Sequence, residues 1–148
     1  MRAIRLLAGL FLMAGVLAAQ ASAAELKVLS AEAMRPALQE LAPAFEKESG
    51  HKVKIDYASA GDIEKKVGDS EDYDVVIVDQ KRTEALRRGA KIVGGTIKRL
   101  VSEQGSDLVY AASSVFLSEQ PVGAKTLVDF LAGAKAKEVY KAKGLQPS

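Results

Sequence analysis

Apolar and polar positions in the first half of the chain follow strand and helix periods in turn. Residues 26–29 are apolar apart from Lys27, which predicts a short strand. Apolar residues then recur at helical spacing, and this predicts a buried helix face formed by Met34, Leu38, Leu41 and Phe45. Pro36 is compatible with the first turn of that helix, and Gly50 predicts its end.

Two more strand and helix pairs are predicted downstream. Residues 53–57 alternate between apolar and polar side chains, as in a half-buried strand, and a helix is predicted from Gly61 to about Val67. The β-branched run at 75–78 predicts a strand that is covered on both faces. A helix over residues 82–88 then ends at Gly89. This alternation of strands and helices predicts a doubly wound α/β fold.

The pattern changes in the second half of the chain. Residues 96–101 and 107–115 are predicted to be extended and to pair as a hairpin across the polar turn 102–106. Helices are predicted over residues 124–131 and 134–143. We therefore expect α/β architecture with a single doubly wound sheet of about five strands and helices on both faces.

The first 23 residues have the features of a secretory signal peptide. Arg2 and Arg5 precede the apolar run 6–18, and the small residues 21–23 resemble a cleavage site. A membrane anchor is the alternative, but 13 continuous apolar residues are short for a bilayer span. We expect cleavage after Ala23, a single domain over residues 24–148, and a periplasmic location.

Charge and composition narrow the function classes. Without the two arginines of the signal, 19 basic residues balance 19 acidic ones, which does not favour nucleic-acid binding. The chain has no cysteine and a single histidine, so neither a metal site nor a cofactor is expected. Nothing resembles a nucleophile with its base, so no enzymatic activity is expected.

The predicted topology places a candidate site at one edge of the sheet. Short right-handed connections favour the first strand between the second and third, so the winding direction reverses beside it. Ligands of open α/β sheets bind at such a reversal, beyond the carboxyl ends of the strands. The candidate loops are therefore residues 30–33, 58–62 and 79–82.

Three stretches of sequence carry a resemblance to a known family. The segments "AELKVLSAEAMRPALQELAPAFEKESGHKVKIDYASAGDIEKKV" and "DYDVVIVDQKRTEALRRGAKIVGGT" resemble the first lobe of periplasmic molybdate-binding-like proteins, in the type II substrate-binding class. The segment "TLVDFLAGAKAKEVYKAKGLQP" is similar to that family's closing pair of helices. The resemblance covers nearly all of residues 24–95 and 107–147.

The resemblance implies solute binding between two lobes. In that family the chain leaves the first lobe, builds a second and returns, whereas here about ten residues separate the exit near Thr96 from the return near Asp107. Only one lobe is therefore expected. Two serine hydroxyls of the family's first lobe bind the oxyanion, and their positions fall on Ala33 and Ala60 in this chain.

Glu32 is the unexpected residue of the first candidate loop. A carboxylate about 5 Å from a bound dianion would repel it by several kcal/mol at an effective dielectric constant near 20. Glu32 either faces the site and excludes such a ligand, or points outward into solvent. Glu32 and Asp79 are also considered as an acid and base pair, but solvated loop carboxylates are the preferred interpretation because no other catalytic group accompanies them.

These observations predict an exported, non-enzymatic solute-binding protein with a reduced, one-lobe site, associated with ABC-type uptake. Its expected partners are a small solute or oxyanion, the membrane component of an ABC transporter, or a second copy of itself. The alternative is a periplasmic interaction module or homodimer that has lost solute binding. The predicted ligand-binding residues are Ser30, Ala31, Glu32, Ala33, Ser59, Ala60, Gly61 and Asp79.

Overall fold

A computed structural model describes residues 23–148 of the chain, and the predicted signal peptide lies almost entirely outside the described residues. The strands are β1 (Glu25–Ala31), β2 (Lys52–Ala58), β3 (Val75–Asp79), β4 (Lys98–Ser102), β5 (Val109–Ser114) and β6 (Gln146–Pro147). The helices are α1 (Arg35–Ser49), α2 (Ala60–Gly68), α3 (Gln80–Arg88), α4 (Pro121–Leu131) and α5 (Ala134–Ala142). Short 3-10 turns occupy Glu32–Met34 and Gly94–Thr96.

The strands form one open sheet in the order β2-β1-β3-β5-β4-β6. β1 pairs in parallel with both β2 and β3. The other three pairings are antiparallel: β3 with β5, β5 with β4, and β4 with β6. The α/β fold class, the position of β1 between β2 and β3, and the β4–β5 hairpin are confirmed. The sixth strand was not predicted, because its two residues carry no periodicity and its pairing depends on the position of β4.

Helices cover both faces of the sheet. α1, α4 and α5 pack on one face and α2 and α3 on the other. The apolar face predicted for the first helix is buried, since Met34, Leu38, Leu41 and Phe45 are all 2% exposed or less. Leu127 and Leu131 of α4 join the same core beside Leu38 and Leu41. The closing helices therefore complete the core of the lobe instead of forming a separate unit.

The buried carboxylate of Asp74 connects the sheet to the segment that precedes α4. Asp74, 4% exposed, accepts hydrogen bonds from the Lys27 backbone N–H at 2.8 Å and from the Ser118 hydroxyl at 2.6 Å. Its backbone N–H donates to the Lys27 carbonyl, and its carbonyl accepts from Val115. Asp74 thus joins β1, the start of β3 and the segment after β5.

None of the helices in residues 23–148 is both long enough and apolar enough to cross a membrane.

Candidate functional site

The predicted site lies where β1, β2 and β3 end, at Ala31, Ala58 and Asp79; we call this the carboxyl edge. Ala31 and Ala58 are direct partners in the β1–β2 register, so the first two candidate loops leave the sheet side by side. Each of the three loops leads at once into a helical turn, which brings backbone amides to this edge.

In the first loop, Glu32 lies in an ion pair with Arg35. The guanidinium donates from Nε to Oε2 and from Nη2 to Oε1, both at 2.8 Å. The same guanidinium lies 4.0 Å from the centre of the Tyr57 ring, in a cation–π arrangement. The Glu32 side chain is 57% exposed. Glu32 is therefore solvent-exposed and locally neutralised.

The remaining residues of the first loop are less accessible. Ser30 is fully buried, and its hydroxyl donates to the Ala31 carbonyl at 3.1 Å. Ala31 is buried and Ala33 is half-buried against the core. The 3-10 turn at Glu32–Met34 has no side-chain cap, so its first amides are not bonded by a capping side chain.

The hydrogen bonds from Arg35 lower the pKa of Glu32 and raise the pKa of Arg35. We expect Arg35→Ala to raise the pKa of Glu32, because it removes both donors. Titration of the Glu32 carboxyl carbon by NMR measures this change. Arg88→Ala is the matched control, since Arg88 is exposed on α3 and forms no ion pair within residues 23–148. Equal Glu32 pKa values in the two variants would contradict the pairing.

The second loop caps its own helix. The Ser59 hydroxyl oxygen accepts from the Asp62 backbone N–H at 3.2 Å and donates to the Asp62 carboxylate at 2.6 Å. The bond from the Asp62 N–H provides an acceptor for one backbone amide at the start of α2. Ala60 is half-buried, and Gly61 faces open space, with no atom within 4 Å of the position that a Cβ would take.

The third loop repeats this arrangement with a carboxylate. Asp79, 5% exposed, accepts from the Arg82 backbone N–H at 3.1 Å and from Arg82 Nη1 at 2.9 Å. Arg82 Nε lies 3.7 Å from Glu64 Oε2, so this arginine connects α3 to α2. The Asp79 carboxylate is therefore already hydrogen-bonded, and it caps the start of α3.

Each of the three loops contains two interacting polar side chains that are three residues apart in the sequence. Sequence reasoning identified Glu32, Ser59 and Asp79 and included Asp62 and Arg82 in the candidate loops. It did not include Arg35, and it did not predict that these side chains pair. The i,i+3 spacing was a usable signal, because residues three apart meet on one helix face. These pairs keep the carboxyl edge polar. They also use N–H donors of the guanidinium groups and helix starts that could otherwise bind an anion. Within residues 23–148, no cluster of three or more His, Asp or Glu side chains could hold a metal ion.

The β4–β5 connection also reaches the carboxyl edge. β4 ends at Ser102 and β5 begins at Val109, and Tyr110 of β5 lies opposite Asp79. The Tyr110 hydroxyl donates to Glu103 at 2.9 Å, and burial together with this bond raises the pKa of Tyr110 to about 12. The connection is a short turn that closes beside the third loop.

Within residues 23–148, most of the large apolar side chains that are exposed lie at the opposite, amino edge, where β1, β2 and β3 begin. Phe116 and Leu117 are 63% and 67% exposed and line a half-open hollow of about 300 Å³ together with Tyr73 and Lys91. Among the described residues, one large apolar side chain is exposed near the carboxyl edge, that of Leu108 in the β4–β5 turn, which is 38% exposed. The two edges therefore differ in chemical character.

The chain belongs to the bacterial extracellular solute-binding proteins, whose family model matches residues 26–115. That span runs from β1 to just past the end of β5 and includes the three loops of the carboxyl edge. The class of protein that this match defines is thus a solute-binding protein. A comparison with curated protein sequences finds no match.

Solved structures match the fold at low sequence identity. The substrate-binding domain of a putative molybdenum ABC transporter from Clostridium difficile is 11% identical with a TM-score of 0.76, over 85% of this chain and 100% of that one. The Azotobacter vinelandii periplasmic molybdate-binding protein is 15% identical with a TM-score of 0.70, over 81% and 98%. The sulfate-binding protein of Mycobacterium tuberculosis is 10% identical with a TM-score of 0.70, over 84% and 87%.

Proposed function

We propose that this chain is an exported, periplasmic solute-binding protein of the ABC-import class whose ligand site is a single half-site at the carboxyl edge. The family match supports the class. The observation that carries the half-site is the arrangement of the three loops, which converge on one edge beside a short β4–β5 turn. In this proposal residues 1–23 are a cleaved signal peptide and residues 24–148 form the lobe.

The proposed solute is small and weakly held, and it is not a tetrahedral dianion. Alanine occupies both positions where the resemblance implies hydroxyls, and the Ser59 hydroxyl is engaged with Asp62. The pairing of Glu32 with Arg35 reduces the repulsion that an unpaired carboxylate would exert on an anion. The Arg35 guanidinium is, however, already bonded to Glu32, so fewer of its donors are free for a ligand. One open lobe leaves a ligand in contact with water, which limits affinity.

The alternative, an interaction module that uses the carboxyl edge, is less well supported. Such a surface requires a contiguous apolar patch, whereas the charged pairs of the first and third loops and the polar pair of the second dominate this edge. Of the five large apolar side chains that are exposed within residues 23–148, four belong to segments at the amino edge: Val93, Phe116, Leu117 and Val122.

The first test concerns oxyanions. We expect micromolar molybdate, tungstate or sulfate to leave the Tm unchanged at constant ionic strength. A ligand at 100 times its Kd would add about 2.7 kcal/mol, a shift of roughly 10 °C for a domain of this size. A shift of that size would contradict the proposed exclusion of dianions. If no shift appears, the triple variant Glu32→Gly, Ala33→Ser, Ala60→Ser distinguishes two causes of weak binding. Recovered oxyanion binding would mean that the loop residues prevent binding, whereas continued absence of binding would assign the loss to the missing second lobe.

The second test locates solute binding. A thermal-shift screen of small organic acids, metal ions and oxyanions at millimolar concentration should give one class that raises the Tm. Gly61→Leu should abolish this shift, since it fills open space at the half-site. Gly68→Leu is the matched control, because Gly68 also lies in α2, also faces open space and is distant from the loop. No shift with any solute, or equal effects of the two variants, would reject the half-site.

A further inference from the structure

The outer strand β2 presents an unpaired backbone edge. It ends the sheet order and pairs on one side only, with β1. The Lys52 backbone N–H donates to the Ala24 carbonyl, which sets the alternation of the ladder. The N–H and C=O groups of Val53, Ile55 and Tyr57 consequently point away from β1, toward the free edge.

The side chains along this edge have a self-complementary charge pattern. Lys54 and Asp56 flank Ile55 and are both exposed on the same face of β2. Among the described residues, Lys54 has no carboxylate within the 4.0 Å of an ion pair, and Asp56 accepts one hydrogen bond, from the Tyr73 hydroxyl at 3.0 Å. Each residue therefore retains charge that a second strand could match.

We propose that this edge is an interaction surface for a second copy of the chain, with the two β2 strands antiparallel and centred on Ile55. In this register Lys54 of each copy lies opposite Asp56 of the other. A register centred on Lys54 would place two lysines opposite each other, and one centred on Asp56 would place two aspartates opposite each other. Charge thus selects a single symmetric alignment.

Backbone geometry favours the same alignment. Because the polar groups of Ile55 face outward, Ile55 and its symmetry mate form a hydrogen-bonded pair. The flanking Lys54 and Asp56 then form non-hydrogen-bonded pairs, in which opposing side chains are closest. The Val53 N–H already donates to Glu46 Oε1 at 2.8 Å, which leaves the amides of Ile55 and Tyr57 to form the ladder. Lysines usually protect an edge strand from pairing, but here each meets an opposite charge.

The proposal is tested by charge reversal in the protein purified after expression of the full chain. Sedimentation equilibrium should show a dimer of twice the monomer mass. Lys54→Asp and Asp56→Lys should each raise the dimer Kd roughly ten-fold to thirty-fold, because symmetry converts two attractive pairs into two repulsive ones. Lys54 is exposed and forms no ion pair among the described residues, so the thermal melt of Lys54→Asp should match that of the wild type. Asp56→Lys also removes the acceptor of the Tyr73 hydroxyl, so this variant should melt at a slightly lower temperature.

Two rescue experiments make the test specific. The double variant Lys54→Asp, Asp56→Lys restores both pairs in reversed polarity and should dimerise like the wild type. An equimolar mixture of the two single variants should form a heterodimer, because one carries only acidic and the other only basic residues at these positions. Hydrogen exchange at the Ile55 and Tyr57 amides should also slow as protein concentration rises.

Three results would overturn the proposal: a monomer at millimolar protein concentration, single variants that dimerise as tightly as the wild type, or a mixture that stays monomeric. Dimerisation without protection of the Ile55 and Tyr57 amides would likewise reject this edge.

Discussion

Truncation after Ser118 is expected to abolish cooperative unfolding. The deletion removes α4, α5 and β6, and with them the buried side chains of Leu127, Val128, Leu131 and Tyr140. Each buried side chain of this kind contributes about 1.5–3 kcal/mol, so the total loss is comparable to the roughly 5–15 kcal/mol that stabilises a typical domain. The apolar side chains of Val28 and Ile77 on the sheet would also lose their cover.

A calorimetric or circular-dichroism melt measures this outcome. The matched control removes residues 146–148, which deletes β6 but leaves Tyr140 and its 2.7 Å hydrogen bond to the Leu131 carbonyl. The control should unfold cooperatively at a somewhat lower Tm. A sharp transition in the protein truncated after Ser118 would show that the closing helices do not complete the core.

Asp74→Ala is expected to cost about 3 kcal/mol of unfolding free energy. The substitution removes two charge-assisted hydrogen bonds and leaves the Lys27 N–H and the Ser118 hydroxyl without their carboxylate partner. Bonds to a charged group contribute about 1.5–3 kcal/mol each, although relaxation recovers part of that loss. The corresponding decrease in Tm is about 10 °C for a domain of this size.

Asp72→Ala is the control for this prediction. Asp72 lies two residues away and also interacts with Lys27, but through an exposed ion pair in which the carboxylate side chain is 70% exposed. Exposed pairs of this kind contribute between zero and about 1 kcal/mol, so the control should change the Tm by little. Equal decreases in both variants would mean that the buried bonds of Asp74 do not hold the β1–β3 junction.

The candidate site was only partly predictable. The positions of the three loops followed from the expected strand order, which the structure confirms. The engagement of Ser59 with Asp62 and of Asp79 with Arg82 depends on how each helix begins. The assignment of the eight ligand-binding residues remains a prediction. Hydrophobic periodicity identifies buried faces, whereas the bonded loop side chains are indicated only by the i,i+3 spacing of polar residues at each helix start.

The sequence by itself determined the alternation of elements and the buried faces, because burial of apolar side chains requires them to recur at the period of a helix or strand. Only the tertiary structure decided the contacts between residues distant along the chain. Asp74 bonds to Lys27 and Ser118, and Arg35 lies on the ring of Tyr57. Such contacts depend on strand order and helix placement, which arise from the packing of the whole lobe and leave no local pattern in the sequence.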